Sequence, residues 1–433
     1  MTLRVDHPAF LITIYGLAAA FALYLFIRPT LRRTLAGFLC AVIAGLLGWF
    51  LVWFSDNVMN IFGVGLTPIT TMWVAFGFAG TALALANLFR SRWWRMIVAI
   101  VSIPIFLLAA AAGINVDFGA YRDLNDVFGV IPYKTINFFS ETGEVINGTD
   151  WAASTTPTSD VPAKGEVAKV SIPATVSRFP ARDAVVYLPP IALTANPPAL
   201  PVLYALSGQP GAPINMFGAG RLAQFMNAFA AQHRGYAPIV IAADQLGGPG
   251  RNPMCVNSRA LGNAETYLLT DVRHWAESHL RVSRDPAAWG VFGFSEGATC
   301  AVQFATGHPG MFGSAIASSS ELGPTLGNTS KTIELGFNGS HAAYERAQPI
   351  NIMAAHRPYK HTIVILGAGQ NDLKYSAFAR ILYAHAVAAD IDTQLFISPG
   401  TAHDWNTVRY TLDNGFPSVA DMMGLTKLKG SVQ

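Results

Sequence analysis

Apolar residues follow two regimes along this chain. Up to about residue 115 they form four nearly unbroken stretches, 8 to 28, 35 to 54, 68 to 89 and 94 to 115, each about 20 residues and so long enough as helix to cross a hydrocarbon core of roughly 30 Å. None carries Asp, Glu, Lys, Arg or His in its interior, which excludes a proton relay or ion path through these segments. The first is not a cleaved leader by pattern: one arginine precedes it, no small-residue cleavage site follows, and Arg28, Arg32 and Arg33 come directly after. From 116 to 168 the pattern is irregular, and Thr149 to Lys164 is the Ser/Thr/Pro-rich kind of segment that tethers domains.

Beyond the tether, short β-type runs alternate with helical stretches. VAKVSIPATV, DAVVYLPP and PVLYALSG lead to a helix near 219 to 233, then APIVIAAD and a helix near 264 to 281. WGVFGFS, a helix from 296, FGSAIASSS, HTIVILGAG, a helix near 374 to 389, DTQLFISPG and a short terminal helix follow. Such alternation predicts a mostly parallel sheet with helices on both faces. The organisation expected is an α-helical four-span transmembrane bundle over 1 to 115, an extracytoplasmic linker over 116 to 168 and an α/β domain over 169 to 433.

Composition agrees with a membrane part. Of 433 residues 52% are hydrophobic and only 13% charged, with mean hydropathy +0.35, where soluble domains carry about 25% charged residues. Residues 1 to 115 hold seven arginines against two acids, while the remainder holds 22 Lys+Arg against 24 Asp+Glu. The positive charge thus belongs to the membrane part, and nothing points to a nucleic-acid partner. Arg28, Arg32 and Arg33 lie between spans one and two, and Arg90, Arg92 and Arg95 between spans three and four, whereas the second loop carries only Asp56. The positive-inside rule then puts both arginine loops in the cytoplasm, with both termini and the long C-terminal domain outside. Trp53, Trp93 and Trp94 fit interfacial positions at span ends.

The candidate chemistry centres on Gly293-Phe294-Ser295-Glu296-Gly297, which closes an apolar run and opens a helical one. That strand-turn-helix setting is what a nucleophile elbow requires, the glycines standing where side chains would collide with neighbouring backbone. Ser295 is the expected nucleophile. Chain order in such folds is Ser, acid, His, and His403 follows the last predicted strand in a loop able to return to the serine. Asp372, just beyond TIVILGAGQND, is the expected acid that orients the imidazole; Asp390 and Asp392 read more simply as a helix end and a strand start, and Glu345 is the reserve candidate. The developing oxyanion needs two backbone donors, for which Glu296 N–H and Gln209 N–H in Ser207-Gly208-Gln209-Pro210-Gly211 are the choices. Cys255 and Cys300 both fall in the domain placed outside, where a bridge between them would persist; two buried thiols are the alternative. Cys40 lies inside span two.

The motifs L-S-G-Q-P-G after a strand, G-F-S-E-G, G-x-x-x-N-D and H-D-W, over residues about 169 to 420, resemble the putative esterase family of α/β-hydrolases, which includes esterase D and the mycolyltransferases. Glu265-Thr266-Tyr267-Leu268 with Asp271, Trp275 and Cys300 resembles its actinobacterial membrane-anchored branch with four N-terminal spans. The resemblance implies a serine esterase or acyltransferase on envelope substrates, with Ser295, Asp372 and His403 as triad and Gln209 and Glu296 as backbone donors. Glu296 and Ala298 depart from the family pattern, which often has an apolar or amide side chain and a second glycine there.

No HExxH, paired CxxC or EF-hand pattern occurs, and Gly247-Gly248-Pro249-Gly250 lacks the following Lys-Ser/Thr of a P-loop, so no metal or cofactor is expected. Asp244 reads as a loop-start residue, and 321 to 360 as a lid on the acyl side. The function expected is hydrolysis of a lipid or aminoacyl-lipid ester by a multi-pass protein of the cytoplasmic membrane, with an envelope ester and the bilayer as partners. Acyl transfer to an envelope hydroxyl is the alternative, and a noncatalytic adhesion or sensor module a further one. Oligomeric state is left open.

Overall fold

The computed structural model describes residues 3–59, 64–89, 91–128 and 160–426. Arg90, most of the tether (to residue 159) and residues 427–433 lie outside the described residues. The chain divides into two compact units, Met1–Val130 and Ile131–Gln433.

In the first unit α1 (Pro8–Phe26), α2 (Leu31–Asn57), α3 (Pro68–Ala86) and α4 (Trp93–Phe118) are long and apolar enough to cross a membrane. Proline at the start of α1 and of α3 occupies a first-turn position whose N–H has no intrahelical partner anyway. Large apolar side chains such as Ile12, Leu46, Trp49, Phe76, Ile100 and Leu107 point outward, the reverse of a water-soluble bundle. Polar groups gather at the two ends. At one, Arg95 donates to the carbonyls of Tyr24, Leu25 and Ile27 at 2.8–2.9 Å and to Asn87 Oδ1 at 2.7 Å. Arg28 donates there to Ala86 O at 3.3 Å and Ser91 Oγ at 2.7 Å. These guanidiniums satisfy the orphan carbonyls that close α1 and α3, where the helix dipole favours a cation. At the other end Asp117 accepts from Thr67 and Thr70 hydroxyls, and Asp56 from Leu66 N–H. The fourth helix runs past residue 115, to Phe118.

The second unit is built on eight strands, β1 (Glu166–Val170), β2 (Ala184–Leu188), β3 (Val202–Leu206), β4 (Ile239–Ala242), β7 (Trp289–Phe294), β8 (Ser314–Ser318), β9 (Ile363–Gly369) and β10 (Asp392–Ser398), with β5 (Asn257–Ser258) and β6 (Gly262–Asn263) forming a separate small ribbon. Spatial order is β1-β2-β4-β3-β7-β8-β9-β10, with β2 antiparallel to both its neighbours and every pair from β4 to β10 parallel. Every residue of β2, β3, β4, β7, β8 and β9 is buried, as expected of strands covered by helices on both faces. The sheet begins at Glu166, three residues before the boundary expected for this domain.

Two elements differ from the sequence reading in length or regularity. The terminal helix is long, Trp405–Met422, despite Pro417; Val408, Leu412, Phe416, Val419 and Ala420 bury one face, which outweighs the lost bond. The helix expected over 264 to 281 ends at His279 and contains a π-helical turn, Tyr267–Val272. That turn carries Asp271, which accepts from Val176 and Ser177 N–H at 2.9 and 3.0 Å and fixes the β1–β2 connection. The 321 to 360 segment folds into three short helices, Thr329–Phe337, His341–Arg346 and Pro349–His356.

Candidate active site

Registry aligns the C-terminal ends of the parallel strands. Leu206 stands opposite Gly293, Phe294 opposite Ser318, Ser318 opposite Gly367 and Gly369 opposite Ser398. The loops leaving β3, β7, β8, β9 and β10 therefore emerge along one edge, the place where open α/β sheets bind ligands.

Ser295 occupies the turn between β7 and helix Glu296–Gly307 with φ 54° and ψ −116°, a conformation costly for a residue with a Cβ. Its N–H donates to Ser318 O at 2.9 Å and its carbonyl accepts from Ala298 and Thr299, so the strain is held from both sides. The glycines at i−2 and i+2 are required sterically. A Cβ on Gly293 would strike the backbone of Gly297, and one on Gly297 would strike the carbonyls of Leu206 and Ser207.

His403 lies in the loop after β10, its ring centroid 4.9 Å from that of Phe294 and 4.2 Å from that of Tyr375. Its Nδ1 is 2.9 Å from Asp372 Oδ2, both side chains being less than a tenth exposed. A hydrogen on Nδ1 donates to this carboxylate and leaves Nε2 free to accept a proton. The other carboxylate oxygen of Asp372 accepts from Tyr375 N–H at 3.3 Å and caps helix Leu373–Ala388. Asn371 N–H to Thr401 O (2.8 Å) and Gln370 N–H to Ser398 O (2.9 Å) tie the Asp372 and His403 loops together. Asp404, beside His403, caps the terminal helix through Thr407 N–H at 2.9 Å.

Gly208 packs against the nucleophile; a Cβ there would stand 3.3 Å from that of Ser295. Among the described residues neither Gln209 N–H nor Glu296 N–H donates to a protein acceptor, so both are available to a ligand. Arg182, which sequence reasoning missed, braces this loop by donating to Gly211 O at 2.9 Å. It also forms a bidentate pair with Asp244, at 2.7 and 2.9 Å. Asp244 is fully buried in this pair, taking Arg182 N–H as well, and is a structural anchor of the loop rather than a ligand in the pocket. Gln245 completes the brace, donating to Ser207 O and, at 3.0 Å, to Glu296 Oε2.

Cys255 and Cys300 are joined in a disulfide, whose sulfurs lie 3.7 and 3.2 Å from Glu296 Oε1. Bonded sulfurs have no thiolate to offer, so the Cys255, Glu296 and Cys300 grouping is not a metal site in this state. Burial pushes the Glu296 carboxyl from its ordinary 4.5 up to about 8, against the Gln245 hydrogen bond and with help from the charges of Glu321 and Asp244. Tyr375 was also missed in the sequence; its hydroxyl faces Glu321 Oε1 at 3.5 Å, and burial first, then Glu321 and Asp372, hold its ionisation above the ordinary range.

A strained serine between a parallel strand and a helix, with a histidine and an acid delivered by later loops of the same sheet edge, defines an α/β-hydrolase. A solved ferulic acid esterase has the same fold at TM-score 0.50 and 17% identity, covering 60% of this chain and 99% of its own. So does an S-formylglutathione hydrolase from Agrobacterium tumefaciens, at 0.50 and 17%, covering 61% and 97%. The family model described as "Putative esterase" matches residues 181–395. An uncharacterised protein of Corynebacterium glutamicum is 33% identical over 371 residues, 83% of this chain and 84% of its own length, a span that exceeds the C-terminal unit and takes in part of the helical region. The chain belongs to the putative esterase family, and it is a serine hydrolase of the esterase type.

Proposed function

We propose that the protein hydrolyses a lipid or aminoacyl-lipid ester of the cell envelope through an acyl-enzyme on Ser295, with its catalytic unit on the outer side of the cytoplasmic membrane. The observation that carries this reading is Ser295 held at φ 54° at a helix start, on the same sheet edge as the 2.9 Å His403–Asp372 pair. His403 Nε2 takes the proton of Ser295 Oγ as the oxygen bonds the ester carbon, and Asp372 keeps the imidazole in the required tautomer. The N–H groups of Gln209 and Glu296 receive the oxyanion. His403 then passes its proton to the leaving alcohol, and water repeats the sequence to free the acid. The membrane assignment is supported by the four apolar helices, and the outward orientation by arginines at one end of the bundle and by the Cys255–Cys300 disulfide, a bond that persists outside reducing compartments.

Detergent-solubilised full-length protein incubated with labelled envelope lipids should release free acid or amino acid by mass spectrometry, and Ser295→Ala should abolish both this and fluorophosphonate labelling, a loss of about 10³-fold or more. Full labelling of Ser295→Ala would transfer the role to another serine. A reporter fused after residue 433 should be active only outside the cytoplasm; activity inside would remove the envelope substrate.

A further inference from the structure

A cavity of about 390 Å³ opens between the second half of helix Glu296–Gly307 and the three-helix segment over 321 to 360, within the size range of small-molecule sites. None of Ser295, Asp372 and His403 lines it, so it is separate from the site described above. Phe304, Phe337 and Ile352 give it an apolar wall.

Its polar groups are unequally compensated. Glu265 is held, with Oε2 accepting from Asn257 Nδ2 at 3.1 Å and Oε1 standing 3.6 Å from His308 Nε2. Arg346 and His356 are exposed, and among the described residues neither has a hydrogen-bond or ion-pair partner. The charge left over is therefore positive. A second group points to a ligand independently. Gln303 lines the same cavity, is only 7% exposed, and finds no partner among the described residues for either end of its amide. Its Oε1 is sealed from solvent, which leaves Nε2 as the end that the cavity reaches. A buried amide in this condition is costly, and a bound molecule that supplies the missing partner relieves it.

These groups specify a ligand with two polar ends. One guanidinium forks onto a carboxylate in a planar, bidentate pair, whereas a doubly charged phosphate would leave charge over. A hydroxyl suits Gln303 because it can accept from Nε2 and could equally donate to the amide oxygen. We propose that this cavity binds a small hydroxycarboxylate, its acid group on Arg346, its chain along Phe304, Phe337 and Ile352, and its hydroxyl on Gln303. Such a ligand bridges the nucleophile's helix and helix His341–Arg346, and so stabilises the folded form that holds them together. No bond is made or broken. A solvated Arg346 beside a water-filled cavity would bind acid and alcohol alike, so a comparison of ligands separates the two readings.

The test is a saturation-transfer NMR titration of full-length protein in nonionic detergent with ω-hydroxycarboxylates of about four to eight carbons, a range suited to a cavity of this size. The tightest of the series should bind about tenfold or more tightly than the diol of equal length, which lacks the charge. It should bind about threefold or more tightly than the plain carboxylate, which lacks the hydroxyl. Arg346→Gln should remove the preference over the diol, and Gln303→Leu the preference over the plain carboxylate. Absence of binding throughout the series, or equal affinity for acid and diol, overturns the proposal. So does an unchanged preference in Arg346→Gln, because the ligand then sits elsewhere, the catalytic site included. Arg346 is exposed and its replacement leaves the core untouched, so that variant decides alone if Gln303→Leu does not fold.

Discussion

At the residue scale, Glu296 presents an apparent contradiction, because in the proposed mechanism its backbone N–H receives a developing negative charge while its own side chain is an acid. Burial resolves it by holding the carboxyl neutral up to about pH 8. A neutral carboxyl in the folded chain against an ionised one in the unfolded chain means the folded state binds the extra proton between about 4.5 and 8. Stability is therefore fully present below the unfolded value and is lost as pH rises through the folded one. Glu296→Gln should raise Tm over wild type by roughly 3–8 °C near pH 9 and change it little near pH 5, read by differential scanning fluorimetry. Turnover should part the same way, wild type declining above pH 8 and the variant not, since ionised Glu296 opposes the oxyanion. Ser295, Asp372 and His403 could be proposed from sequence because each sits at a fixed offset from a strand end. Arg182, Glu321 and Tyr375 could not: the Arg182–Asp244 pair spans 62 positions and the Tyr375–Glu321 contact 54, distances across which local pattern is silent.

At the scale of elements, helix Glu296–Gly307 joins three parts of the site. Its start holds the nucleophile, its first turn carries Thr299 against Glu321, and Cys300 pins it to the loop after β4 through Cys255. That loop is further packed where Met254 and Val256 meet Phe337 of the three-helix segment. A bridge across 45 positions restricts the unfolded chain by about 4 kcal/mol in the chain-entropy account. The double variant Cys255→Ser, Cys300→Ser should accordingly lose several degrees of Tm, with reductant reproducing the loss in wild type and having no effect on the variant. The strands were readable because buried parallel strands are continuous apolar runs, as in IVIA and WGVFGF, whereas their spatial order was not. The full length of the terminal helix is not legible in the sequence, because Pro417 is a helix breaker by propensity and only tertiary burial carries the helix through it.

At the scale of the whole molecule, one span would suffice as an anchor, and the proposed lipid substrate gives the other three a testable role, that of gathering the ester in the membrane ahead of Ser295. A fragment beginning at Asp160 keeps β1 and Val161, which packs on the hydrolase core. It should retain activity on short soluble esters within about threefold but lose about tenfold or more on the same ester in vesicles, where remote binding energy orients the carbonyl. Equal vesicle activity for fragment and full chain would reduce the bundle to a tether. The arginine-bearing end of that bundle carries a consequence for how its orientation can change. In the proposed orientation Arg28 and Arg95 supply charge that sets insertion, and the same guanidiniums hold the carbonyls where α1 and α3 close. Inverting the protein by removing them would unpair those carbonyls and loosen the helices together. Under the proposed orientation, insertion and assembly are thus locked to one pair of side chains, and evolutionary drift in one is penalised by failure of the other.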